Sequence, residues 1–246
     1  MHEFQLPVKW PVDGLPAVWI ATAESDPGLC DYTQALTIMH DLVQRPANAP
    51  DVILAVEHPT VATLGRSGGR DSLIASQWLD VHGQWQPLPV IEVARGGKVT
   101  MHAPGQLVVY PIVHLPSLQP PVGRGPLGDL PAYARLLEAA VVDTCAHFGL
   151  PAFAIAGKAG VWVSETRKIM SLGVGVQRGW SQHGLALNVN PHLPTFAAMV
   201  PCGLGGVELT SLHRELSERG LPLPDLPQVR DVLLGLLRPQ LRRVAV

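Results

Sequence analysis

The 246 residues contain three cysteines, Cys30, Cys145 and Cys202, and their neighbours set one apart. Cys202 stands in Pro201-Cys202-Gly203-Leu204, a context that makes a turn rather than a strand or helix. A turn presents backbone N–H groups beside a side chain, the geometry that a nucleophile and an oxyanion site need. Cys145 lies within a strongly helical stretch and reads as a small core residue, and Cys30 sits in a polar N-terminal stretch without such flanks. Cys202 is therefore the candidate nucleophile, with a purely structural cysteine as the alternative. The odd count and the lack of a CxxC pair argue against a disulfide framework and against a cysteine zinc site.

Lysine is the second informative residue type. The chain has 14 arginines but four lysines, Lys9, Lys98, Lys158 and Lys168. Arginine stays protonated, whereas a lysine can give up and take back a proton. Lys168 opens the apolar run Lys168-Ile169-Met170-Ser171-Leu172-Gly173, either as a proton-handling group or as an edge-strand lysine that discourages aggregation. A third segment, Arg95-Gly96-Gly97-Lys98-Val99-Thr100-Met101-His102, has paired glycines that let backbone approach a ligand closely, with donors beside them. A plain glycine-containing hairpin would read the same, and the segment matches neither the P-loop nor the dinucleotide fingerprint. In a fourth, His183-Gly184-Leu185-Ala186, the His-Gly step lines a pocket floor or is a hydrogen-bonded core histidine.

The elements that position these groups are mixed. Strands are expected over 15–21, 51–59, 159–164, 168–177 and 184–190, with two more around a loop in 90–115. Helices are expected over 31–46, capped by Asp31, over 131–148, closed by Gly149, and over 227–238. Strand neighbours at hairpin spacing with a few helices between them predict an α+β fold with a mixed, mainly antiparallel sheet, not a regular βαβ series. The length suits one domain, 1–246, with a small C-terminal subdomain from about 200.

Composition narrows the classes. Charged residues are 15% against the usual quarter or so, which implies a well-packed soluble protein with a fairly apolar surface. A net charge of −2 gives no global field for nucleic acid or an anionic membrane, so a charged partner must be met by a local patch. No apolar run approaches the length of a membrane span, and the N-terminus lacks a signal-peptide pattern, so a cytoplasmic location is expected.

Taken in order, EHPTVATLGR (57–66), RGGKVTMHAPGQLVVYPI (95–112), GVWV (160–163), KIMSLGV (168–174), HGLALNVN (183–190), PCGL (201–204) and LTSL (209–212) resemble the octanoyltransferase, or lipoyl(octanoyl) transferase, family. The resemblance spans some 160 residues and implies the fold shared with lipoate– and biotin–protein ligases. The family usually has Tyr where Met101 stands and Gly where Ala103 stands, two changes of apolar bulk beside His102. The resemblance further implies a cytoplasmic acyltransferase in protein lipoylation, with no cofactor and no metal. Its donor is octanoyl-acyl carrier protein. Its acceptors are the lipoyl domains of 2-oxoacid dehydrogenase E2 subunits and the glycine cleavage H protein. Cys202 matches the family nucleophile and Lys168 its proton-handling partner, and the resemblance implies that Arg95 to His102, Ser171, Leu172, Gly173, Gly184, Leu185 and Ala186 line the acyl pocket. An ammonium about 4 Å from a thiolate contributes roughly 4 kcal/mol at an effective dielectric of about 20, which favours the reactive thiolate. Three competing readings remain at this stage: an ATP-dependent ligase on the same fold, an inactive acyl-binding module, and a cysteine hydrolase with His183 or His102 as base.

Overall fold

The computed structural model describes residues 17–19 (backbone alone), 28–68, 70–123, 125, 128–200 and 206–243. In chain order its elements are β1 (Ala17–Trp19), α1 (Tyr32–Val43), β2 (Val52–Val56), β3 (Val61–Leu64), β4 (Gln77–Leu79), β5 (Trp85–Pro87), β6 (Val90–Glu92), β7 (Val99–His102) and β8 (Gln106–Ile112). There follow α2 (Leu130–His147), β9 (Phe153–Ile155), β10 (Lys158–Trp162), β11 (Arg167–Gln177), β12 (Trp180–Asn188), β13 (Glu208–Leu209), α3 (Leu212–Ser217) and α4 (Leu226–Leu237).

Local chemistry sets the helix starts. The Asp31 carboxylate accepts from the backbone N–H groups of Thr33 and Gln34, and α1 then buries Tyr32, Ala35, Ile38, Met39 and Val43 at helical spacing. Asp129 accepts from the Ala132 N–H at the start of α2, with Pro131 in the first turn, where its missing N–H costs nothing. Gly149 follows that helix at φ +80°, the left-handed position that ends helices without a Cβ penalty.

The large sheet runs β1-β2-β8-β12-β11-β10-β9, with β13 added beside the start of β11. All its pairings are antiparallel except β1 with β2 and β11 with β13. Alternation along the strands sends Ile53, Val109, Leu185 and Leu187 to one face, where they pack with Tyr133, Leu137 and Val141 of α2 and Val229 and Leu233 of α4. Leu54, Val56, Val108, Tyr110 and Ala186 face the other way, toward Ala35, Ile38 and Met39 of α1. Leu212 and Leu216 of α3 also join the α2-side core, so the segment beyond 206 packs on the same sheet.

A second sheet, β6-β3-β7, lies beside the first. This departs from the two-strand reading of 90–115. That stretch forms three strands, and the first two pair with β3 in the small sheet while β8 enters the large one. The chain changes sheets at Gly105, which has φ +86° and donates its N–H to the Glu57 carboxylate at 2.7 Å. Strands of three or four residues such as β3 and β6 are too short to carry a periodic signal.

Candidate active site

A cavity of about 370 Å³ opens between the α1 face of the large sheet and the small sheet. Its floor is made of cross-strand partners: Ser171 opposite Ala186, and Gly173 opposite Gly184. Small side chains at these four facing positions leave the space unfilled. Its walls come from Tyr32 of α1, Val99, Thr100 and His102 of β7, Val108 and Tyr110 of β8, and Trp162 and Lys168 on β10 and β11. The structure thus brings Lys168, Arg95, Gly97, Lys98, Val99, Thr100, His102, Ser171, Leu172, Gly173, Gly184, Leu185 and Ala186 around one space. Gly96 and Met101 lie outside that lining. Met101 and Ala103, the two departures from the family pattern, are buried with Leu64, Phe196 and Ala198 in the small-sheet core. Cys202 and the rest of 201–205 lie outside the described residues.

Lys168 is 2% exposed although it is a lysine. Its Nζ lies 5.3 Å from the centroid of the Trp162 ring, within cation–π range, and the Nζ of Lys158 lies at the same distance from that indole. The Trp162 Nε1 is buried with no hydrogen-bond partner. Lys98, Lys158 and Lys168 all line the cavity, three of the four lysines in the chain, and among the described residues the lining contains no Asp or Glu. A chain of net charge −2 therefore presents a locally cationic site.

Arg95 lines the cavity and is also held by the protein itself. Its guanidinium is buried and donates to the Thr63 carbonyl at 2.8 Å, to the Thr63 hydroxyl at 2.8 Å, and to the carbonyls of Gly96 and Lys98 at 3.0 and 2.8 Å. The loop it braces is docked on β11 by the Gly96 N–H, which donates to the Val174 carbonyl at 2.9 Å. That approach requires glycine on the strand. A Cβ at Gly175 would sit 2.7 Å from the Ala94 carbonyl oxygen, and one at Gly173 would sit 2.9 Å from the Arg95 Cδ. Gly96 thus approaches another strand of the protein closely, while Gly97 lines the cavity.

Behind this loop lies a buried polar and aromatic cluster. His58 Nδ1 donates to the Cys30 carbonyl at 2.6 Å, and its Nε2 meets the Tyr110 hydroxyl at 2.9 Å. Burial pushes the His58 imidazole down to about 4, so the ring is neutral and accepts from Tyr110. His102 Nδ1 donates to Gln106, which donates to Asn188, which donates to the Thr210 carbonyl, tying β7, β8 and β12 together. Burial and the neighbouring His58 hold His102 well below its usual range. His183 is buried, has φ +56°, and is lowered to about 4 by burial and by the charges of Arg95 and Arg66. Its Nδ1 is buried without a partner. His102 and His183 line the cavity and His58 packs behind His102, and burial holds all three imidazoles below their ordinary range. Among the described residues no group of three or more His, Cys, Asp or Glu is arranged to hold a metal ion, and no helix is long and apolar enough to cross a membrane.

Sequence reasoning did not assign Tyr32, Tyr110 or Trp162 to the site. Trp162 lies in the GVWV segment, but a tryptophan in an apolar strand carries no signal that separates a pocket wall from a core.

The lipoyl protein ligase A/B catalytic domain model matches residues 31–235. An octanoyltransferase of Acidobacterium capsulatum is 40% identical over 196 residues, covering 77% of this chain and 78% of that one. An octanoyltransferase of Synechococcus elongatus is 42% identical over 199 residues, covering 80% and 77%. A putative lipoate protein ligase of Thermoplasma acidophilum with bound lipoic acid superposes with a TM-score of 0.61 at 14% identity, covering 87% of this chain and 83% of that one. The architecture is the one shared by lipoate– and biotin–protein ligases. The chain belongs to the octanoyltransferase family, within the lipoyl protein ligase A/B catalytic domains. It is an enzyme, a transferase.

Proposed function

We propose that the enzyme moves an octanoyl group from octanoyl-acyl carrier protein to the target lysine of lipoyl domains, with Cys202 as nucleophile and Lys168 as acid/base partner. The observation that carries this reading is a lysine buried in the wall of a small-floored apolar cavity. In the first half-reaction the Cys202 thiolate attacks the thioester carbonyl, and the carrier thiol leaves with a proton supplied by Lys168. In the second, the acceptor amine attacks the octanoyl-cysteine, Lys168 takes the amine proton, and the Cys202 thiolate departs from the amide. The donor thioester is already activated, so no ATP enters the balance. About seven carbons beyond the carbonyl, at about 0.8 kcal/mol each, offer roughly 5 kcal/mol gross to the space over Ser171, Gly173, Gly184 and Ala186. The three lysines of the lining, with no Asp or Glu among its described residues, fit an acidic carrier protein as donor.

The test is intact-mass spectrometry after mixing with octanoyl-acyl carrier protein in the absence of ATP. The wild-type chain should gain one octanoyl group, Cys202→Ala should gain none, and the loaded enzyme should pass the group to a lipoyl domain. An absolute need for ATP, or octanoylation and turnover that survive in Cys202→Ala, would sink the proposal.

A further inference from the structure

The core face of α2 carries one acidic side chain, Glu138, which is 9% exposed among Leu137, Ala140 and Val141. Its carboxylate oxygen accepts the backbone N–H of Gly160 at 2.7 Å. Gly160 belongs to an irregular stretch of β10, where the register with β9 shifts between Lys158 and Val161 and that with β11 shifts between Val161 and Trp162. Its φ is +108°, a conformation that side chains disfavour. The reason for glycine is visible across the strand. A Cβ at this position would lie 2.5 Å from the Lys168 Cε, 3.0 Å from its Nζ and 2.3 Å from the Met170 carbonyl oxygen. The Gly160 backbone is therefore one wall of the slot that holds the Lys168 ammonium, and the Trp162 ring, two residues on, lies against the same ammonium.

We infer that Glu138 is a positioning residue for Lys168, acting through the Gly160 N–H to fix the bulge against which the lysine packs. The inference rests on the reading of Lys168 as the acid/base partner. A buried acid in an apolar helix face is costly unless it is hydrogen-bonded, and here the carboxylate accepts from the peptide that lies against the lysine. Without the acceptor, the Gly160 N–H is left buried and unpaired, and the bulge relaxes until it finds another partner. A shift of about 1 Å in a reacting group costs up to about a hundredfold in rate.

Two small substitutions separate the acceptor from the charge. Glu138→Gln keeps an oxygen at the same reach, and Glu138→Asp withdraws it by one carbon–carbon bond, about 1.5 Å, while keeping the carboxylate. Glu138→Met removes it. Steady-state octanoyl transfer and its pH profile are measured for all three, with Lys168→Ala as reference. Gln should retain kcat within about threefold, whereas Asp and Met should lose about tenfold or more in kcat with KM little changed. The acid limb of their kcat/KM profile should move, since that limb reports the groups that must titrate. A folded Asp or Met variant with wild-type kcat and an unmoved profile overturns the inference, as does a Gln variant as damaged as Asp. If Lys168→Ala itself keeps full activity, the reading of Lys168 fails and this inference with it, a result separable from a failure confined to Glu138.

Discussion

Replacing Arg95 by Met tests whether that arginine is a brace or a ligand-binding group. Its guanidinium serves two fully buried acceptors, the carbonyl and the hydroxyl of Thr63, and two partly buried carbonyls, those of Gly96 and Lys98. The Gly96 and Lys98 carbonyls can turn to water, so only the Thr63 oxygens bear the full penalty. A buried acceptor stripped of its donor costs about 1–3 kcal/mol, and the hydroxyl can rotate, which puts the loss near 3 kcal/mol. In a domain of this size that lowers Tm by about 6–12 °C. Arg95→Lys should fall between, because a single ammonium cannot span the Thr63 and Lys98 carbonyls together. Urea and thermal unfolding of the three proteins would measure this, beside kcat/KM for octanoyl-acyl carrier protein at a temperature where all are folded. If Arg95→Met unfolds within about 2 °C of wild type while its KM rises tenfold or more, the brace argument is wrong and the guanidinium holds substrate.

Lys168→Arg should be nearly as damaging to turnover as Lys168→Ala, since arginine keeps the charge but cannot shuttle a proton; an arginine variant with normal kcat would reduce Lys168 to a fixed charge. With octanoyl-acyl carrier protein, kcat/KM should fall from low to moderate salt more steeply than with octanoyl-coenzyme A, because clustered surface charges raise the on-rate and are screened. Of the arginines near the motifs, Arg66 is exposed at the cavity loop, whereas Arg70 pairs with Glu92 and Arg178 donates to Gln44, so Arg66→Ala should flatten the slope most; equal slopes for both donors would remove the docking patch. His58 and His183 are each lowered to about 4 from an ordinary 6.5. A depressed histidine binds fewer protons folded than unfolded, so its stability is present above pH 6.5 and is lost as pH falls toward 4, by about 3 kcal/mol each. Denaturation midpoints that stay flat from pH 7 to pH 4.5 would contradict the buried neutral imidazoles.

The sequence determined α1, α2, α4 and the course of the long strands, because their signals are local, whereas the six-residue α3 was not read from it. Asp31 and Asp129 cap, Gly149 terminates, and the apolar positions of α1 and α4 recur at helical spacing. It also singled out the segments around Lys168, Ser171–Gly173 and Gly184–Ala186, which become floor and wall of one cavity. Four facing small residues read as neighbours only once β11 and β12 are in register, which the chain order suggests and the sheet fixes. What tertiary structure alone decided are contacts between residues far apart. Arg95 stands beside two glycines in the sequence, and only the fold shows that its guanidinium also donates to Thr63, 32 residues away. Cys30 looked like part of a polar stretch, but it is buried beneath α1 with Val56 and Val108. Glu138 gave no sequence signal, since one acid in an apolar helix differs from a solvated one only by what it faces, and that depends on where α2 lies against β10. Hydrogen-bond partners and burial are properties of packed pairs, so they become legible only when the pair has met.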